Sequence, residues 1–296
     1  MTVSIPMNLT DEHIDFLNKR LIELSPQDLI RWAYYTFPNL YQTTAFGLTG
    51  LAITDMISKI PNVKIDLIFL DTLYHFPQTY ELLDRVQQKY PDSKINVFKP
   101  RGINNEEEFV KKYGDELWEK DDTYYDYLVK VEPSQRAYKT LNANVVLTGR
   151  RKSQGGARSS LPILEKDEVN NILKINPLWN WDFNQVKSYI DENNVPFNEL
   201  LNLGYKSVGD WHSTVPVADG EDERAGRWKD KVKTECGIHI AKEFTHYNVA
   251  GDNAQVTKVT EIKVDANGDD SANGNANGNA NGNGSILVTE TKVSVV

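Results

Sequence analysis

Cysteine is almost absent from this sequence, since Cys236 is the single thiol among 296 residues. One cysteine cannot form a disulfide within the chain, a four-thiolate zinc site or a cysteine-ligated iron–sulfur cluster. Any redox chemistry at Cys236 therefore needs a second thiol from another molecule.

Long apolar runs and an excess of positive charge are also missing. No stretch is long and apolar enough to span a bilayer, and 33 Lys and Arg against 42 Asp and Glu give a net charge of −9. Such an acidic chain lacks the basic surface that general nucleic-acid binding needs. The first residues, Met1–Pro6, have neither the basic nor the apolar region of a secretory signal. We therefore expect a cytoplasmic protein that binds neither nucleic acid nor membrane.

Apolar strands alternate with amphipathic helices through most of the chain. Hydrophobic residues make up 40% of the sequence, which is enough to bury a core. Residues 1–40 are predicted to form helices, and residues 41–195 an α/β nucleotide-binding domain. The predicted strands are 41–46, 65–70, 94–99, 145–148 and 172–175. This alternation is typical of an open, mostly parallel sheet flanked by helices.

The last third of the chain lacks this alternation. Residues 196–245 are rich in glycine, charge and tryptophan, and we expect them to form an active-site lid that carries Cys236. Residues 246–296 include a tract, 266–285, of little besides asparagine, glycine and alanine. That composition cannot bury enough apolar surface to offset the entropy of ordering, so a largely disordered tail is predicted.

Three predicted strands end in polar or glycine-rich sequence, namely Thr44–Gly50, Asp71 with Thr72, and Gly149–Arg158. The carboxyl ends of parallel strands share one edge of the sheet, where ligands bind. A glycine-containing turn before a helix offers free N–H groups to a phosphate, and a basic cluster neutralises its charge. Taken singly, the glycine-containing turn is also typical of close strand–helix packing, and the basic cluster is also typical of a solvated surface. Their convergence favours a polyanionic nucleotide.

Cys236 lies among charged residues, whereas a buried structural cysteine usually lies in an apolar run. The neighbouring lysines and His239 favour the nucleophilic thiolate, and Glu235 opposes it. Upstream, Arg224 and Arg227 are able to clamp a phosphate or a sulfate. The alternatives are a surface cysteine without a role and an exposed loop of mixed charge.

These motifs together resemble the phosphoadenylyl-sulfate (PAPS) reductase family, in particular its fungal, thioredoxin-dependent members. The resemblance runs from about residue 10 to residue 245. It rests on Thr44–Gly50, Phe69–Thr72 with His75–Pro77, Thr148–Gly155, Gly209–Thr214 and Lys233–His239. The family implies an adenine nucleotide α-hydrolase-like fold with a mobile C-terminal active-site segment.

The resemblance also implies roles for individual residues. Cys236 would be the nucleophile, with His212 and His239 orienting the sulfuryl group and Tyr205 near the active site. The residues that would hold the adenosine and its phosphates are Thr44, Ala45, Phe46, Gly47, Gly50, Asp71 and Thr72. The residues that would face the phosphosulfate or the 3′-phosphate are Gly149, Arg150, Arg151, Gly155 and Arg158, over which Arg224 and Arg227 would close.

As a family member, the protein would be a homodimeric oxidoreductase of sulfate assimilation, on the route to cysteine and methionine. It would hold no metal, no iron–sulfur cluster and no other bound cofactor. Its substrate would be PAPS, which it would reduce to sulfite and adenosine 3′,5′-bisphosphate through an S-sulfocysteine. Thioredoxin would be the external electron donor, with glutaredoxin as a substitute.

Two departures and three alternatives accompany this interpretation. Ile240 stands where relatives commonly have glutamate, and the tail beyond about residue 250 has no counterpart. One alternative is an adenylyl-sulfate (APS) reductase, although those enzymes typically carry paired cluster cysteines. A second is an ATP pyrophosphatase or adenylyltransferase on the same fold, against which the absence of a Ser-Gly-Gly-x-Asp-Ser loop counts. A third is a nucleotide-binding regulatory module in which Cys236 is dispensable.

Overall fold

The computed structural model describes residues 9–229, 233, 235–239, 247–248 and 257–258. By its own contacts the chain divides into two units, Met1–Lys242 and Glu243–Val296. In the second unit the described residues are strands β7 (Tyr247–Asn248) and β8 (Thr257–Lys258), which pair antiparallel. The asparagine- and glycine-rich tract lies outside the described residues. None of the helices in the described ranges has the length and apolar character needed to cross a bilayer.

A six-stranded sheet with the order β3-β2-β1-β4-β6-β5 forms the centre of the first unit. All neighbours are parallel except β5 and β6, which are antiparallel. The strands are β1 (Leu40–Thr44), β2 (Asp66–Leu70), β3 (Ile95–Phe98), β4 (Val145–Leu147), β5 (Leu164–Asp167) and β6 (Ile172–Ile175). The predicted open, mostly parallel sheet is thus confirmed.

Helices flank this sheet, and local capping explains where several of them begin. Thr10 accepts a hydrogen bond from the backbone N–H of His13, and Ser25 accepts one from Asp28 ahead of a proline in the first turn. The helices are α1 (Asp11–Leu21), α2 (Pro26–Thr36), α3 (Leu48–Lys59), α4 (Pro77–Lys89), α5 (Glu106–Tyr113), α6 (Leu117–Lys120), α7 (Asp122–Asp126), α8 (Glu132–Leu141) and α9 (Phe183–Glu192).

The two faces of the sheet carry separate apolar layers because side chains alternate along each strand. Leu67 and Phe69 of β2 belong to the larger layer, which includes residues of α1, α2, α3, α4 and α9. Ile68, between them, belongs to a smaller layer with Ala137 and Tyr138 of α8. The first two helices therefore pack on the same core as the sheet.

A buried π-helical turn, Tyr127–Val131, joins α7 to α8. All five of its residues are buried, including Lys130. An extra residue in a helical turn changes which side chains face inward, and such turns occur often at functional sites. Here the turn directs the Lys130 ammonium toward two buried carboxylates.

Strand β5 is not predicted from the sequence. Its residues Leu-Glu-Lys-Asp have the polarity of a loop, and they form a strand because β6 supplies an antiparallel partner at the sheet edge. The side chain of Asn18 also bonds both the N–H and the carbonyl of Leu164. One consequence is that Glu165 on this strand pairs with the guanidinium of Arg150.

The segment after α9 is ordered mainly by short turns and isolated bridges. Two 3₁₀ helices, Glu199–Leu203 and Trp211–Ser213, lie in it. Single antiparallel bridges join His75 to Asp210 and Thr214 to Arg227. This segment therefore reaches the edge of the sheet where β2 ends.

Candidate active site

A cavity of about 240 Å³ opens at the carboxyl ends of β1, β2 and β4, where it is also lined by residues of 206–210, 223–228 and 236–239. It brings together the three polar strand ends and the cysteine segment. The predicted site residues that line it are Thr44, Ala45, Gly47, Gly50, Thr72, Gly149, Arg150, Arg151, Arg158, Arg224, Arg227, Cys236 and His239. Within the described ranges, no group of three or more His, Cys, Asp or Glu side chains is arranged to hold a metal ion.

The turn from β1 into α3 presents backbone N–H groups to this cavity. Phe46 has a positive φ of 56°, and its N–H bonds the Thr44 hydroxyl at 2.9 Å. Gly47, which precedes α3, supplies no side-chain cap, so the first N–H groups of the helix are available to an anion. A Cβ on Gly50 would lie 2.8 Å from Thr44 Oγ1, and one on Gly149 would lie 3.0 Å from Gly50 N. The lack of a side chain at Gly50 and Gly149 therefore lets the ends of β1 and β4 lie close to the start of α3.

Two arginines of the Gly149–Arg158 loop bind carboxylates of the C-terminal segment. Arg151 forms a two-point pair with Glu223 at 2.6 and 2.7 Å, and both side chains are buried. Arg158 forms a similar pair with Glu235, the residue before Cys236. Two carboxylates of the protein thus neutralise part of the positive charge of this loop, and each pair connects the C-terminal segment to the sheet edge.

Arg224 and Arg227 pack against the indole of Trp228. The Arg227 guanidinium lies 4.5 Å from the ring centroid and that of Arg224 lies 5.6 Å away. Burial, reinforced by neighbouring arginines, lowers the pKa of Arg224 to about 10, so it stays charged at neutral pH. The buried Nε of Arg227 has no hydrogen-bond partner among the described residues. An anion in the cavity would supply one.

The segment around Cys236 is held by contacts to its backbone. The N–H of Gly237 donates to the Asp126 carboxylate at 3.0 Å. The Lys174 ammonium donates to the carbonyl of Ile238 at 3.2 Å. Cys236 itself is a free, half-buried cysteine in the cavity wall.

His239 is a neutral imidazole in this site. Burial is the main cause, and the nearby cations Arg150 and Lys174 add to it, so that the pKa of His239 falls well below its usual value. Its buried Nδ1 has no hydrogen-bond partner within the described part of the chain. His239 can therefore donate or accept a hydrogen bond but supplies no positive charge, which comes from the arginines.

A buried ion network in the cavity wall was not predicted. The Asp210 carboxylate accepts from the Thr72 hydroxyl at 2.6 Å and pairs with Lys130 at 2.8 Å. Lys130 also pairs with Asp126 at 2.9 Å. Burial acts to raise the pKa of Asp210, but Lys130 outweighs it and the pKa is held low. Asp210 lies in the Gly209–Thr214 motif, but Lys130 belongs to none of the motifs, so only folding reveals its place in the network.

Three of the predicted nucleotide-binding residues, Phe46, Asp71 and Gly155, lie beside the cavity and do not form its described lining. Phe46 is buried against Phe69, with ring centroids 5.0 Å apart. Asp71 accepts a hydrogen bond from the Tyr80 hydroxyl at 2.8 Å. Gly155 has a φ of +67°, which glycine adopts without strain. Their interactions in this structure are with the protein itself.

His212 and Tyr205 are also placed away from the lining. His212 stacks on Trp118 at 4.1 Å, and its Nε2 lies 3.0 Å from the Tyr125 hydroxyl. Tyr205 packs edge-to-face on Phe76 with centroids 5.6 Å apart. The role of His212 in orienting the sulfuryl group and that of Tyr205 near the active site stay predictions.

Comparison with known proteins gives one consistent group of relatives. Residues 39–216 match the family described as the phosphoadenosine phosphosulfate reductase domain. Phosphoadenosine phosphosulfate reductase of Saccharomyces cerevisiae is 60% identical over 245 residues, covering 81% of this chain and 94% of that protein. Adenosine 5′-phosphosulfate reductase of Halalkalibacterium halodurans is 35% identical over 81% of this chain and 100% of that protein.

A solved structure agrees with these relatives. The crystal structure of PAPS reductase from Candida auris, a phosphate complex, superposes with a TM-score of 0.67 at 64% identity. The match covers 71% of this chain and 100% of that one. The fold inferred from the strand alternation and from the motifs is therefore found in a relative of high identity.

Proposed function

The chain belongs to the phosphoadenosine phosphosulfate reductase family and reduces PAPS in sulfate assimilation, and we propose that Cys236 performs this reduction with thioredoxin as electron donor. The observation that carries the proposal is that one cavity holds Cys236, the open N-terminus of α3 and five arginines. A thiol placed beside an anion-binding site fits attack on an anionic sulfuryl group better than it fits a structural cysteine.

The substrate carries several phosphates, and the cavity offers two kinds of anion site. The N–H groups of the Gly47–Gly50 turn bind one phosphate, helped by the positive end of the α3 dipole. Arg227, whose Nε is unpaired in the described structure, and Arg224 bind a second anionic group from the C-terminal segment. Arg150, whose guanidinium also pairs with Glu165, lines the cavity from the β4 side.

In the first step the Cys236 thiolate attacks the sulfur of the phosphosulfate. An S–S bond forms, the S–O bond to the phosphate breaks, and adenosine 3′,5′-bisphosphate leaves with the electron pair. The arginines stabilise the charge that develops on the leaving phosphate. His239, as a neutral imidazole, keeps one ring N–H that can donate a hydrogen bond to a sulfuryl oxygen. The product is an S-sulfocysteine on Cys236.

The second step releases sulfite, and it requires a thiol that the chain does not have. A thioredoxin thiolate attacks the Cys236 sulfur, sulfite leaves, and the second thioredoxin thiol resolves the mixed disulfide. The dithiol supplies two electrons, which reduce the sulfur from the +6 to the +4 state. Glutaredoxin offers the same dithiol chemistry. A cytoplasmic location and a homodimer stay predictions.

Residues 196–245 act as a lid in this proposal. The pairs Arg151–Glu223 and Arg158–Glu235 join the lid to the sheet edge, and the partners are 72 and 77 positions apart in the sequence. Closing over the substrate brings Arg224, Arg227 and Cys236 to the sulfuryl group together. Opening exposes the S-sulfocysteine to thioredoxin.

The test measures sulfite and bound sulfonate with PAPS alone and with reduced thioredoxin. Without thioredoxin, the native chain should release one equivalent of adenosine 3′,5′-bisphosphate and carry one sulfonate on the peptide that contains Cys236. Thioredoxin should then discharge sulfite. The Cys236→Ser variant should still bind adenosine 3′,5′-bisphosphate and form neither product. An unmodified Cys236 together with undiminished sulfite release would overturn the mechanism.

The preference for the 3′-phosphorylated nucleotide is a separate question. Identity is 60% to a reductase named for PAPS and 35% to one named for APS. We expect faster turnover of PAPS than of APS at equal concentration, measured as sulfite release with reduced thioredoxin. Equal turnover of the two nucleotides would contradict this preference.

A further inference from the structure

Asp126, the last residue of α7, contacts the backbone beside the nucleophile. Its carboxylate is buried, with 1% of the side chain exposed. Oδ2 accepts the N–H of Gly237 at 3.0 Å and also lies 2.8 Å from the Lys233 ammonium. Oδ1 accepts from the Lys130 ammonium at 2.9 Å. Two contacts of this one carboxylate thus reach the segment that carries Cys236.

The same carboxylate is connected to the nucleotide edge of the sheet. Lys130 bridges Asp126 to Asp210, and Asp210 accepts from the hydroxyl of Thr72, the second residue after β2. Thr72, Lys130 and Asp210 line the cavity, whereas Asp126 lies outside its described lining. A continuous set of charge-assisted hydrogen bonds therefore runs from the end of β2 to the residue that follows Cys236.

The charges in this network favour an ionised Asp126. Burial acts to raise the pKa of its carboxyl, but Lys130 and Lys233 outweigh burial and hold the pKa below its usual value. An anion surrounded by two ammonium groups and one N–H has fixed partners on both oxygens. Such a group holds the contacting backbone in one position.

We propose that Asp126 is a positioning residue for the nucleophile: its carboxylate docks the Gly237 N–H and so holds the Cys236 thiol at the cavity wall. The inference rests on the proposed function of Cys236. Because Asp126 does not form the described cavity lining, its loss should slow formation of the S-sulfocysteine while nucleotide affinity is kept. A residue that merely binds the substrate would change both.

Asp122 provides a matched control on the same helix. It also pairs with Lys233, at 2.9 and 3.0 Å, but it is one-third exposed and bonds no backbone group of the cysteine segment in the described structure. The Asp122→Asn variant therefore removes a carboxylate from the same lysine without removing the Gly237 contact. Comparing it with Asp126→Ala, which removes the acceptor of the Gly237 N–H altogether, separates docking of the backbone from loss of charge near Lys233.

The experiment uses single turnover of PAPS without thioredoxin, followed by mass spectrometry of the peptide that contains Cys236. We expect Asp126→Ala to form the S-sulfocysteine at least 10-fold more slowly than the native chain, and Asp126→Asn, whose amide oxygen can still accept the Gly237 N–H, to lie between the two. Their Kd for adenosine 3′,5′-bisphosphate, measured by calorimetry, should stay within about threefold of native. Asp122→Asn should stay within about threefold in both measurements. A native rate in Asp126→Ala, or a slowing that matches a loss of affinity, would overturn the proposal.

Hydrogen exchange of the native chain tests the contact without any variant. The Gly237 amide should exchange slowly with the cavity empty, because the Asp126 carboxylate accepts it. Fast exchange at Gly237 would overturn the proposal even if the Asp126 variants failed to fold. If the native chain exchanges slowly there but forms no S-sulfocysteine from PAPS, the proposed function fails and the docking contact stands.

Discussion

Gly209 leaves the space that the guanidinium of Arg227 occupies. A Cβ at residue 209 would lie 2.2 Å from Nη2 and 2.4 Å from Cζ of Arg227. The φ of Gly209 lies outside the left-handed region, so the backbone accepts alanine. The atoms in the way are the end of a flexible side chain. Gly209→Ala should therefore displace the Arg227 guanidinium and leave the backbone in place.

The magnitude follows from the contacts that Arg227 would lose. Its packing on the Trp228 ring, 4.5 Å from the centroid, contributes about 0.5–2 kcal/mol. Its Nη1 also donates to the Val208 carbonyl at 3.3 Å, so the loss of folding stability should exceed the contribution of the ring contact alone. A charge-assisted hydrogen bond to a substrate anion contributes about 1.5–3 kcal/mol. At about 1.4 kcal/mol per tenfold change, we expect Gly209→Ala to weaken binding of adenosine 3′,5′-bisphosphate roughly 10- to 100-fold.

The assay is a double-mutant cycle with Arg227→Ala, read by calorimetry for nucleotide affinity and by urea unfolding for stability. If the alanine acts through Arg227, Gly209→Ala should cost little further affinity in the Arg227→Ala background. A comparison variant is Gly226→Ala, whose Cβ would lie 2.0 Å from the backbone carbonyl oxygen of Val215. That clash is with the main chain, so it should reduce stability. Native affinity in Gly209→Ala, or additive effects in the cycle, would refute the reasoning.

Three further predictions concern stability and closure. Glu223→Ala leaves the buried guanidinium of Arg151 without its carboxylate, so the free energy of unfolding in urea should fall by about 3 kcal/mol; a loss below about 1 kcal/mol would contradict a buried pair. Despite burial, Lys130 holds the pKa of both Asp126 and Asp210 low. The stability that these two carboxylates add to the folded state should be complete above about pH 4 and should decline as the pH falls further, because the same carboxyls in the unfolded chain take up protons first. Urea unfolding between about pH 5 and pH 2.5 measures this decline in the free energy of unfolding. A free energy that rises on acidification would contradict the low pKa values. Proteolysis near residues 218–238 should slow when adenosine 3′,5′-bisphosphate is added, and unchanged cleavage at saturating nucleotide would count against the lid.

Local pattern was enough to predict the five parallel strands in their order along the chain and the edge of the sheet that carries the site. Strands such as Asp66–Leu70 are short apolar runs that follow helices with recognisable starts, like the Ser25 cap before Pro26. Parallel strands place their carboxyl ends together whatever the details of packing, so Thr44 and Gly149 had to meet at one edge. Neither inference needs a contact between distant residues.

Single residue types and their spacing also determined part of the chemistry. One cysteine in the chain requires an external thiol for any complete reduction. The arginines around it indicate an anionic substrate. These conclusions depend on what is present in the sequence and remain the same in any arrangement that brings the residues to one cavity.

Tertiary structure alone decided which charges are neutralised and which remain open to a ligand. Asp126 meets Gly237 across 111 positions, and Arg151 meets Glu223 across 72. No local periodicity encodes such pairs, and the polar run of β5 forms a strand only because β6 lies beside it. The same limit applies to Lys130: a charged residue is interpreted as exposed until folding buries it. Burial then sets its partners and its pKa, because a charge in a low-dielectric interior is stable only beside an opposite charge.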